Sequence, residues 1–242
     1  MNKPQQNQSF LSIRGIQKYF GYKQVLKSID LDFHPQQVSL LIGKNGAGKS
    51  TLVKILTGLM RQTGGEMLYN GAKVQDCVAD YRNAVGVISH EIRFYGDLTG
   101  RENLEFFGKL RPIENLNDSI ELALIETGLQ RAADAPVKTY SSGMSKRLNI
   151  ARLMISNPKL LFLDEPYSGL DFDSIEMLND YIDSVRQKGG AVLLISHQVD
   201  SCFDHIDRAV YLVNGIISHQ IPKSELQRED LQKQLQLTAN PE

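Results

Sequence analysis

Three stretches of the chain, VSLLIG (38–43), KLLFLD (159–164) and AVLLIS (191–196), are continuous apolar runs with no polar alternation. A strand with one face in water alternates apolar and polar residues, so runs like these need cover on both faces. Helices packed on the two sides of a parallel sheet supply that cover, which points to an α/β core. Further runs at LSIRGI, VLKSIDLDF, EMLYNG, VGVIS and AVYLVNG read as additional strands. Between Leu98 and Met154 the periodicity turns helical. Thr99 and Glu102 have capping-box spacing before NLEFFGKL, and IELALIETGL and SKRLNIARLMI follow. A helical insertion is therefore expected to interrupt the sheet.

Bulk properties narrow the function. The 242 residues are 41% hydrophobic and 23% charged, a globular composition. A formal net charge of −1 leaves no global basic footprint, so nucleic acid is not expected as a partner. Cys77 and Cys202 stand far apart without ligand spacing, which points to neither a disulfide framework nor a zinc site. The start, MNKPQQNQSF, is polar, and no run of about 18 apolar residues occurs, so neither a signal peptide nor a membrane span is expected. The Gln-rich start and the ending ELQREDLQKQLQLTANPE read as a disordered lead and a loose amphipathic tail.

The strongest local signal follows the first apolar run. Gly43, Lys44, Asn45, Gly46, Ala47, Gly48, Lys49 and Ser50 match the phosphate-binding pattern GxxxxGK[ST], with Thr51 opening a helical run behind them. Glycines let successive backbone N–H groups point inward, and the helix N-terminus adds its positive end, so polyphosphate is held by many donors. Lys49 is expected at the β/γ-phosphates and the Ser50 hydroxyl on Mg²⁺. The second run ends in Asp164 and Glu165. A carboxylate for the metal beside one that orients or deprotonates water is a hydrolase arrangement. The third run ends at His197, and parallel strand ends share one sheet edge, so His197 could contact the γ-phosphate. Tyr140-Ser141-Ser142-Gly143-Met144 opens another helical run, a second anion site that the helical insertion turns away from the P-loop. A partner would complete it.

In this combination the chain resembles the nucleotide-binding subunits of ABC transporters, from about Leu11 to Ile221. GKNGAGKS resembles Walker A, YSSGM the signature LSGGQ, LLFLDEP Walker B with its catalytic glutamate, SGLD (168–171) the D-loop and His197 the switch histidine. The resemblance implies a P-loop NTPase (RecA-like) core over residues 11–222, with an antiparallel β-subdomain and a helical subdomain inserted at about 92–155. Residues 1–10 would be a flexible lead and 223–242 a polar tail. It further implies two subunits packed head to tail around ATP and Mg²⁺, with Ser141, Ser142, Gly143 and Met144 facing the opposite chain's nucleotide. Phe20, with Tyr19 as the alternative, would stack on adenine beside Val25, and Asp171 would reach across the dimer. YSSGM departs from the pattern at Tyr140, Ser142 and Met144 but keeps Ser141 and Gly143.

The segment ISHEIRFYGDLTGRENLEFF stands where the family carries its Q-loop, yet holds no glutamine. Either His90 or Glu91 takes that position; Glu91 is the better magnesium-side substitute, because hard cations take oxygen ligands. The segment is similar to that of haem-exporter ATP-binding subunits of cytochrome c maturation, with ABC-2 drug or polysaccharide exporters as competitors. The implied partner is a separate integral-membrane permease, and the implied location the cytoplasmic face of the membrane. ABC ATPases acting on ribosomes or DNA typically carry two motif sets or long coiled coils, and this chain has one set and no heptad segment.

Overall fold

The computed structural model describes residues 9–89 and 94–239, the side chains of 234–239 aside. The three apolar runs form β3 (Gln37–Ile42), β7 (Leu160–Asp164) and β8 (Ala191–Ile195), neighbours in one six-stranded sheet. With β1 (Leu11–Phe20), β2 (Lys23–Phe33), β4 (Gly64–Tyr69), β5 (Ala72–Lys73), β6 (Val85–Ile88), β9 (Arg208–Val213) and β10 (Ile216–Pro222), the strands divide into two sheets. The larger has the order β10-β9-β3-β8-β7-β6, parallel except for β10; the smaller, β2-β1-β4-β5, is antiparallel.

Both faces of the parallel sheet are covered, as the unbroken apolar runs require. Leu160 and Phe162 of β7 point into a core shared with the antiparallel sheet, α1 (Lys49–Leu56) and α2 (Val78–Ala84). Leu161 and Leu163 point to the other side, where α5 (Ser142–Ser156), α6 (Phe172–Gln187) and α7 (Val199–Cys202) pack. A third core lies within the helical subdomain, between α5, α3 (Gly100–Lys109) and α4 (Leu116–Glu126). Its entry is a complete capping box. Thr99 Oγ1 accepts from Glu102 N at 3.1 Å and Glu102 Oε2 accepts from Thr99 N at 2.8 Å. The helices between β6 and β7 thus run from Gly100 to Ser156.

Two features differ from the sequence reading. Strands β5 and β10 were not anticipated, because AK and IISHQIP are short or polar and are mostly exposed. The ending, expected as a loose tail, forms α8 (Arg228–Ala239), and its Leu231 is buried in the core beside α7. The burial of Leu231 docks the helix on the core.

The two sheets meet through aromatic rings. Phe33 of β2 and Phe162 of β7 are both buried and pack edge to face, centroids 5.9 Å apart. Phe162→Ala is therefore expected to lower unfolding free energy by about 3–5 kcal/mol in a denaturant titration. A loss under about 1 kcal/mol would show that this ring does not join the layers.

Candidate nucleotide site

The phosphate loop is shaped by close approaches that only glycine allows. A Cβ on Gly43 would lie 2.4 Å from the Leu212 carbonyl of β9. Gly48 has φ +108°, and a Cβ there would meet Leu26 Cδ2 at 2.7 Å. Between them Ala47 N donates to Lys44 O at 3.0 Å, closing the turn from which α1 begins. The Lys49 ammonium is buried and donates to Gly43 O at 2.7 Å and Lys44 O at 3.4 Å. Burial lowers its pKa, against the opposing pull of Glu165 and Asp164.

A cavity of about 320 Å³ opens over this loop. Val25, Asn45, Gly46, Gly48, Lys49, Ser50 and Thr51 line one side; Asp164, Glu165, Ile195 and His197 line the other. Sequence-expected residues from all three strand ends therefore meet in one place. Gly43, Lys44 and Ala47 build the loop without lining the cavity. Phe20, at the end of β1, lies outside the lining and is 47% exposed, its ring 5.2 Å from Lys18 Nζ. The antiparallel sheet brings Val25 to the cavity, and Phe20 is not among the residues that line it.

Glu165 occupies the left-handed region, with φ +52°. That conformation is costly for a side chain with a Cβ and is kept where surrounding contacts hold it. Here the Glu165 N–H donates to Ile195 O at 2.9 Å, and the turn aims the carboxylate at His197. Oε2 accepts from His197 N at 3.2 Å. Oε1 lies 3.2 Å from His197 Nε2 but has no hydrogen-bond partner, although it is buried. Burial pushes the Glu165 carboxyl up, against the pull of His197. Glu165 lines the cavity over the phosphate loop, and a carboxyl with a raised pKa can accept a proton from water.

The site also fits Mg²⁺. The Ser50 hydroxyl and the Asp164 carboxylate line the same cavity and are oxygen donors of the kind this ion takes. No cluster of three or more His, Cys, Asp or Glu that could hold a metal occurs among the described residues. An ion here would thus draw its other ligands from phosphate and water, as magnesium does. The expected hinge residues His90 and Glu91 lie outside the described residues.

The signature stretch lies elsewhere. Ser141 caps α5, its hydroxyl accepting from Met144 N at 3.2 Å, and Tyr140 is anchored by its hydroxyl on Ala132 O at 2.7 Å. Ser141, Ser142, Gly143 and Met144 do not line the P-loop cavity. Ser142 borders a separate cavity of about 540 Å³, which also reaches Asp164 and Glu165. Asp171 is held within its own chain. It caps α6 by accepting from Ser174 N at 2.9 Å and pairs with Arg147 at 3.0 Å. These contacts draw its carboxyl below the usual range, the Ser174 hydrogen bond most of all. Lys146 Nζ donates to Ser168 O, so the helix behind the signature grips the D-loop. Sequence reasoning missed Lys146 and Arg147, since basic residues on an amphipathic helix look like an ordinary solvated face.

The raised Glu165 pKa has a consequence for stability. Ionising this carboxyl costs the folded chain free energy, so the favourable contribution is full below the ordinary value of 4.5 and lost as pH rises through the higher folded value. Glu165→Gln is expected to melt above the native chain at pH 7 in Mg²⁺- and nucleotide-free buffer, and together with it below about pH 4. Equal melting temperatures at both pH values would contradict the assigned burial cost.

Comparison with known proteins agrees with this geometry. Residues 26–168 match the sequence profile of the family described as "ABC transporter". The uncharacterised ABC transporter ATP-binding protein YdbJ of Bacillus subtilis is 36% identical over 87% of this chain and 68% of its own. The lantibiotic transport ATP-binding protein SrtF of Streptococcus pyogenes is 36% identical over 77% of this chain and 80% of its own. The cytochrome c biogenesis ATP-binding export protein CcmA of Bordetella bronchiseptica is 36% identical over 71% of this chain and 77% of its own. A solved structure of an ATP-binding subunit of an ABC transporter superposes with a TM-score of 0.86 at 25% identity, covering 94% of this chain and all of the other. The chain belongs to the ABC transporter family, as an ATP-binding and ATP-hydrolysing subunit with a P-loop, RecA-like core.

Proposed function

We propose that this subunit powers export through a separate membrane permease, with residues 11–222 as its ATPase domain. The observation that carries the hydrolytic part is the meeting of Lys49, Asp164, Glu165 and His197 around one P-loop cavity, with Glu165 Oε1 buried and free of a hydrogen bond. The P-loop N–H groups and Lys49 bind the phosphates of ATP. Ser50 and Asp164 would hold Mg²⁺, which would supply positive charge to the phosphates. Glu165 takes a proton from the attacking water, and His197 contacts the γ-phosphate. Phe20 stacks on the adenine beside Val25, and Glu91 serves at the Q-loop position.

The signature residues Ser141, Ser142, Gly143 and Met144 stand off the P-loop cavity of their own chain, which supports a head-to-tail pair in which each chain completes the other's site. Asp171 then reaches the opposite site only by loosening its bond to Arg147. No helix among the described residues is long and apolar enough to cross a membrane, which accords with a transport path in another protein at the cytoplasmic face of the membrane. That permease docks on the helical subdomain.

For cargo, we favour haem export in cytochrome c biogenesis. The Q-loop segment and the likeness to the Bordetella protein support it, although the Streptococcus lantibiotic transport protein is equally identical. ABC-2 type drug or polysaccharide export is the second reading. Deletion of the gene should abolish holocytochrome c formation; intact holocytochrome c would remove the haem reading and leave the second.

The hydrolytic assignment has its own test. Lys49→Ala should lose nucleotide binding or turnover, whereas Glu165→Gln should bind ATP normally and hydrolyse it at least about a hundredfold more slowly. Native turnover in Glu165→Gln would reject the general-base role, and native binding and turnover in Lys49→Ala would reject the P-loop role.

A further inference from the structure

One residue, Gln198, separates His197 from α7, a single helical turn. One turn has too few internal bonds to be stable alone, so whatever grips α7 decides where it sits. It is gripped from two sides. From within, Tyr167, two residues past Glu165, donates its buried hydroxyl to Asn179 Oδ1 at 2.6 Å, and Asn179 Nδ2 donates to Ser201 O at 2.8 Å. From outside, the C-terminal segment holds the other face. Gln232 Nε2 reaches both carboxylate oxygens of Asp200, at 2.8 and 2.9 Å. Arg228 pairs with Asp204 at 2.7 Å and approaches Asp200 at 3.7 Å. Lys223 Nζ donates to Phe203 O and sits 3.4 Å from the centre of the Phe203 ring. Leu231, buried between these polar contacts, supplies the apolar anchor.

These contacts converge on the residues that directly follow the one histidine lining the nucleotide cavity, and none touches the phosphate loop. His197 meets Glu165 through both its backbone N–H and its ring, each at 3.2 Å, so a shift of α7 moves a pair on which water activation depends. We propose that α8 is a positioning element of the hydrolytic site, with Gln232 and Arg228 setting the place of His197 through Asp200, Asp204 and α7. This proposal rests on the reading of His197 as a γ-phosphate contact. It makes the C-terminal helix a lever on hydrolysis: displacing it slows turnover and leaves ATP binding in place.

The test uses the full chain. Gln232→Glu sets a second carboxylate against Asp200 at a surface position. Its kcat is expected to fall about tenfold, since misplacement near 1 Å can cost as much as about a hundredfold. KM for ATP and Tm should stay at native values. The exchange variant Asp200→Asn/Gln232→Glu, which remakes the amide-to-carboxylate bond with donor and acceptor swapped, should recover most of the rate. Native kcat in Gln232→Glu, failure of the exchange to recover it, or a loss that comes with lower Tm and raised KM would each overturn the proposal. His197→Ala separates the two levels. If it turns over at the native rate, the reading of His197 falls; if it is slow while Gln232→Glu is unaffected, that reading stands and the role of α8 falls.

Discussion

The site depends on the parallel pairing of β3, β8 and β7. Leu40 pairs with Leu194, and Asp164 with Ile195, so the carboxyl ends of the three strands lie side by side at one edge of the sheet. Hydrogen-bonded strands are about 4.8 Å apart, close enough for residues just beyond neighbouring strand ends to touch. Residues distant in the chain, the phosphate loop at 43–50, the carboxylates at 164 and 165, and His197, therefore face one cavity. The helical subdomain can be inserted between β6 and β7 without disturbing this edge, because it enters and leaves beside the outermost strand of the sheet.

The same edge concentrates electrostatic cost. Lys49 is buried with a lowered pKa, and Glu165 is half-buried with a raised one. Each opposes the other's shift, so neither charge is isolated, and a polyphosphate with its metal would add the counter-charges that the cavity lacks. The left-handed backbone at Glu165 and the glycine at 48 are local penalties of the same kind. They are held in place by the deeply packed cores on both sides of the sheet.

The parts of the fold that repeat at short range were legible from sequence. Unbroken apolar runs marked β3, β7 and β8, and the Thr99–Glu102 spacing marked the start of α3. The P-loop was legible because its glycines are imposed by contacts as close as 2.4 Å. What escaped was side-chain pairing across long separations. Arg147 with Asp171, Tyr167 with Asn179, and Gln232 with Asp200 each join polar residues whose types are common on surfaces. No periodicity announces such pairs; only the packed helices bring them together. The C-terminal helix was hidden for the same reason, since Leu231 is its one described buried side chain.

The signature residues do not line the P-loop cavity of their own chain, and the proposed function makes the chain half of a catalytic unit. The most direct test of that claim is ATP turnover per chain, measured against chain concentration, with the monomer and dimer populations determined by sedimentation under the same conditions. The expected result is turnover that follows the dimer fraction and vanishes as the chain becomes monomeric. Constant turnover per chain through the monomeric range would contradict it.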